Sequence, residues 1–316
     1  MITFVLSLAW AAAPASPAVL RWDWQREHRF YVESEVTLPL YMWFYDDRSH
    51  QVRVTAFQVR AELRCAPGVP LGRSPKRGFE VGCDVVQSSV RGAAILADAG
   101  RLGPVLERLD ELVDGVTLQL QVRPDGRLDN IGLEGFDSRW RTMNQMGESL
   151  RLVFSRAVAG FDLTLPPTTP EIGGQWMEHD SMIAWLPESS GSNTTMDLIH
   201  EVAQSDDRAT VIKSGGRGLA DTGENRYDLS IEGVTVFDRA IGAISERSWA
   251  ILGMPTSSSL IATGIQGIPI SQRGSVRRLY GDEQADVGAS AEVGPPGERP
   301  VELLPWVPLG SPDPRR

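Results

Sequence analysis

Lysine is almost missing from this chain: Lys76 and Lys213 are the two present, so 29 of the 31 basic residues are arginine. Together with 31 glycines, 21 prolines and abundant alanine, this is a GC-rich bacterial coding bias before it is chemistry. Positive charge is short altogether. The net charge is −10 and the isoelectric point about 5.0, with no Lys/Arg stripe carrying interleaved aromatics. Nothing here would draw the chain to a phosphate backbone, and nucleic acid is excluded as the expected partner. Histidine is scarce as well, at His28, His50, His179 and His200. There is no G-x-S-x-G elbow, no H-E-x-x-H, no G-x-x-x-x-G-K-[ST] and no EF-hand loop. No catalytic residue, cofactor or metal site is therefore expected. Long apolar runs are absent too. The longest, Ile2 to Trp10, falls short of the roughly 20 residues that cross a bilayer, so no transmembrane span is expected.

What is present at the N-terminus points to export. The apolar run leads into Ala11-Ala12-Ala13-Pro14-Ala15-Ser16-Pro17-Ala18, a short apolar region followed by small residues, as in a secretory signal peptide over residues 1–18. No Lys or Arg follows Met1, which departs from the usual pattern. The expected location is periplasmic or secreted. Cys65 and Cys83 fit that compartment. Val59, Ala61, Leu63 and Cys65 share one parity, as do Phe79, Val81, Cys83 and Val85, and a Pro/Gly-rich loop lies between. The two cysteines end facing strands of a long hairpin, and a disulfide between them is the expectation. A slip of phase at Ala56-Phe57 predicts a β-bulge.

With 41% hydrophobic residues the chain can bury a core. Alternating runs predict strands from Phe30 to Leu38, through both cysteine segments, at 116–122 and 128–133, and then in a train from Trp176 to Gln266. Arg123-Pro124-Asp125-Gly126 predicts a turn. Gly215-Gly216-Arg217-Gly218 is read as a turn between strands. Helical spacing marks Leu102 to Val113 and Trp140 to Val158. The predicted class is α+β: a mainly antiparallel sheet, about two packed helices and a disordered C-terminal tail. Residues 19–164 form an N-terminal part with the helices and the cysteine hairpin. Residues 165–280 form a mainly β part of the same or a second domain, and 281–316 a Pro-rich tail.

Two features suggest function. Tyr41, Trp43, Phe44 and Tyr45 are the candidate ligand-binding residues, because aromatics line apolar pockets; the same run would equally fill a core. Glu178-His179-Asp180-Ser181 gathers acid, base and hydroxyl, but neighbours in a strand point to opposite faces and do not converge. His200 shares the parity of Met196, Leu198 and Val202, the position of a satisfied, half-buried histidine.

Val122-Arg123-Pro124-Asp125-Gly126-Arg127, Leu165-Pro166-Pro167 and Gly173-Gly174-Gln175-Trp176, followed by strands, resemble a group of uncharacterised exported bacterial proteins. More distantly, helices resting on a sheet in an exported chain are similar to periplasmic lipoprotein carriers of the LolA/LolB type. That resemblance implies an acyl chain held in a cupped sheet and assigns no residue. The expected function is accordingly a non-enzymatic envelope protein binding a lipid or other apolar small molecule. The alternatives are a structural module meeting an envelope protein through its tail, and an enzyme using His179.

Overall fold

The computed structural model describes residues 20–45, 51–72, 77–94, 113, 115–135, 161, 163–179, 193–221, 225–258, 270–283 and 285. Some strand ends, 37–45 and 51–57 among them, are described by their backbone alone. The strands are β1 (His28–Tyr45), β2 (Gln51–Cys65), β3 (Val69–Pro70), β4 (Phe79–Ala94), β5 (Thr117–Val122), β6 (Leu128–Glu134), β7 (Gln175–Glu178), β8 (Asn193–Ser205), β9 (Ala209–Asp221), β10 (Asn225–Asp238), β11 (Ala243–Ser258) and β12 (Ile270–Arg278). They form one antiparallel sheet in the order β6-β5-β4-β2-β1-β12-β11-β10-β9-β8-β7, with β3 beside β4. The parts on either side of residue 164 both supply strands to it, joined where β1 pairs β12.

The α+β class is therefore corrected to all-β: the described residues form this sheet and no helix. The two segments of helical spacing lie outside the described residues except for Val113. There the chain is already tied to the sheet, since Gly115 N–H donates to the Val85 carbonyl and Val85 N–H to that of Val116. Long strands, not helices, account for the class. The alternating runs 227–231 and 233–237 are one strand, β10, running through Gly233. Gly215-Gly216-Arg217-Gly218 is not a turn but the middle of β9, paired on both sides. A Cβ at Gly216 would fall on the Asp197 carbonyl of β8, so glycine is there for close strand approach. The predicted strand at 259–266 lies outside the described residues, and β12 begins at Ile270.

Other local expectations hold. Cys65 and Cys83 are register partners and form a buried disulfide. The register of β2 against β4 shifts between Val54 and Ala56, beside the predicted bulge. Gly126 closes the β5–β6 turn at φ 92°, a left-handed conformation that favours glycine.

Alternation gives the sheet two unlike faces. One carries ion pairs such as Arg29–Glu62, Arg60–Glu33 and Arg64–Glu27. Here Gly281, Glu283 and Ala285 are held by hydrogen bonds to Arg29 and Glu62. The other, inner face is apolar from β6 to β8 and belongs to one continuous core. One end of it is floored. The stretch Leu20–Trp24 runs from the β2–β3 loop, where Gly68 N–H donates to the Trp24 carbonyl, to the β10–β11 turn, where Asp23 N–H donates to that of Gly242. Trp22 stacks on Trp24 and meets the edge of Phe237, while Phe161 packs on Phe30.

Candidate functional site

The inner face beyond this floor is built of transverse rows of directly paired residues. One row runs Val59, Ser34, Gly274, Trp249, Gly233, Ser214, His200, Trp176 from β2 to β7. The next, farther from the floor, runs Val36, Gln272, Ile251, Ile231, Gly216, Leu198, Glu178. All the non-glycine members of these rows are buried except Trp176, which is partly buried against the same core. Glycine at 274 makes room for aromatic surface: a Cβ there would fall on the Trp249 indole, which therefore lies across β12 toward β1.

Polar side chains punctuate this apolar face, and two groups of them stand out. At the β7 end, His200 Nε2–H donates to Glu178 Oε2 at 3.1 Å, and its Nδ1 lies 2.8 Å from Ser214 Oγ. Trp176 stacks on the imidazole with ring centres 5.1 Å apart and donates its indole N–H to the Thr164 carbonyl. Burial opposes ionisation of Glu178, but the hydrogen bond with His200, the electrostatic influence of His200 and Arg247, and the Thr164 N–H outweigh it and hold the carboxyl below the usual glutamate range. The order hydroxyl–imidazole–carboxylate is that of a nucleophilic triad, yet the surroundings do not suit one. Ser214 lies inside β9 between paired β8 and β10, so the backbone N–H groups around it are spent in sheet ladders and none is left to face an oxyanion. The cluster locks the edge strand β7 to the sheet.

The second group lies at the centre of the face. Both amide atoms of Gln272, the Ser34 hydroxyl, the Trp249 Nε1 and, one row nearer the floor, the Thr235 hydroxyl are buried without a hydrogen-bond partner. Sequence reasoning missed Gln272 and Ser34; the signal was a polar residue on the apolar parity of each strand.

The candidate ligand-binding residues Tyr41, Trp43, Phe44 and Tyr45 lie on β1 at the end remote from the floor; Tyr41 falls within a register shift between Thr37 and Met42, and beyond it Trp43, Phe44 and Tyr45 lie opposite Arg53, Val52 and Gln51. Their side chains lie outside the described residues. His179 follows β7, is 67% exposed and pairs with exposed Asp197 at 2.9 Å. Glu178 beside it is buried and bonded to His200, so the two do not converge. A polar surface cleft of about 290 Å³ opens on the outside of the floor, between Arg21–Gln25 and Arg239–Gly242.

No helix among the described residues is long and apolar enough to cross a membrane. No protein-family model matches the chain. No curated protein matches it either. Among solved structures there is a weak likeness to a chain from "Lipid–protein interactions in lipovitellin", with a TM-score of 0.47 and 7% identity. The match covers 83% of this chain and 26% of that one, so this protein spans about a quarter of its length.

Proposed function

We propose that this is an exported, non-enzymatic protein that holds an apolar ligand, an acyl chain in the first instance, against the inner face of its sheet. The observation that carries the reading is the asymmetry of that face. It is apolar across the sheet, floored at one end by Trp22, Trp24 and Phe161, and its strands run on past the floor to the aromatic run of β1. An apolar sheet face with one built end suits a long, thin, apolar molecule. Tyr41, Trp43, Phe44 and Tyr45 stand at the entry end in this reading. Alternation along a strand leads to the expectation that only one of the neighbours Trp43 and Phe44 lines the ligand.

Displacement of a fluorescent fatty acid from the delipidated protein tests this. Wild type is expected to bind the probe with micromolar affinity or better. Of Trp43→Asp and Phe44→Asp, one is expected to weaken binding at least tenfold with its fold retained. Failure of the wild type to bind any acyl probe refutes the reading.

A further inference from the structure

Gln272 is 3% exposed, Ser34 1% and Trp249 4%, yet the Gln272 amide, the Ser34 hydroxyl and the indole N–H make no hydrogen bond. Protein interiors seldom tolerate one such group, because burying it without a partner is unfavourable. Here three adjoin one another. Ser34 and Trp249 are the direct partners of Gly274 on either side, and Gln272 is two residues along β12 on the same face. Diagonal neighbours in a sheet are about 7 Å apart, within reach of one small polar group. The patch sits on the apolar wall, away from the His200 cluster, and its members come from three adjacent strands of the sheet's centre.

We propose that this patch is a hydrogen-bonding station for the polar group of the ligand, and that the ligand is a neutral acyl amphiphile carrying a hydroxyl or amide. The proposal rests on the reading that the face holds an acyl chain, and adds the chemistry next to that chain. Gln272 offers N–H donors and a carbonyl acceptor, Ser34 a hydroxyl that does either, and Trp249 a donor. A partner satisfying all of them must itself both donate and accept. A hydroxyl or an amide does so. A simple ester has no donor. A carboxylate has none either, and it would bury a charge beside groups that carry no charge of their own. Arg247, buried on the same face one row nearer the floor, sits over the Trp249 ring at 5.9 Å and has an interaction of its own.

The experiment displaces a pyrene-labelled acyl probe from the delipidated full-length protein with 1-monopalmitoylglycerol, palmitate and methyl palmitate. Wild type is expected to bind the monoacylglycerol about tenfold more tightly than the methyl ester, from one or two hydrogen bonds, and more tightly than palmitate. Gln272→Leu is expected to bring the monoacylglycerol-to-ester ratio to about one while the ester affinity stays within about twofold. Ser34→Ala, a smaller change that decides the matter if Gln272→Leu does not fold, is expected to lower the ratio about threefold. Equal affinity of the wild type for monoacylglycerol and ester overturns the station and leaves the apolar site standing. A ratio unchanged in a folded variant also overturns it. Binding of none of the three overturns both.

Discussion

At the scale of single residues, three features are testable, the first of them a pair. Cys65 and Cys83 tie strands β2 and β4 directly across from each other, 18 residues apart in sequence, within the core. Replacing both by serine is expected to cost about 2–4 kcal/mol in chemical denaturation, and wild type in reductant should match the variant. His28 is the second. Its Nε2–H donates to the Asp23 carbonyl at 2.7 Å, while Nδ1 is buried without a partner between Trp24 and Phe30. Burial holds its pKa below the ordinary 6.5, with Arg278 and Arg26 adding to the effect and Asp23 opposing it. The unfolded chain then takes up the proton first. Stability is full above pH 6.5 and declines as pH falls through that value toward the folded pKa. His28→Gln keeps a donor for Asp23 and removes the titration, so its denaturation midpoint should vary less than wild type between about pH 7.5 and 5. Gly274 is the third. Alanine there must displace the Trp249 ring, and a loss of about 1–3 kcal/mol with altered tryptophan emission is expected. The cysteine pair was legible in the sequence because parity and a Pro/Gly loop sufficed. The crowding at Gly274 was not, because its cause lies on another strand.

At the scale of elements, legibility followed the kind of signal. Segments of strict alternation, such as β5 and the cysteine-bearing β2 and β4, were readable directly. Strands interrupted by glycine were not: β9 and β10 were divided at Gly215 and Gly233, although at Gly216 and Gly233 the missing Cβ serves strand contact and not a turn. Gly233 would set a Cβ 2.9 Å from the Ser248 carbonyl of β11. His200 was legible as a satisfied histidine, but its partners Glu178 and Ser214 come from β7 and β9 and needed the register. The short edge strand β7 depends on that cluster. Glu178→Ala strips the partner from His200 Nε2 and from the Thr164 N–H. A loss of about 2–4 kcal/mol is expected, with faster hydrogen exchange in Gln175–Glu178 than in β10.

At the scale of the whole molecule, the aromatic run and the resemblance to carriers suggested a binding protein, but the single apolar face that spans the sheet could not be read from them. A face of this breadth must be covered, and which residues share it is a matter of strand order, which no local pattern records. Export, as proposed above, belongs to this scale too; the Cys65–Cys83 disulfide is compatible with it. The secreted product is expected to begin near Ser16 or Val19 by N-terminal sequencing, whereas an intact Met1 in a cytoplasmic fraction would refute export. The central claim is that the inner face carries an acyl ligand. Its most direct test is mass spectrometry of the lipids extracted from protein secreted to a bacterial periplasm and purified without detergent. The account predicts about one acyl lipid per chain, sharply reduced in Ile231→Asp, a change in the middle of the inner face. Acyl lipid no higher than on an unrelated exported protein of similar size would contradict it.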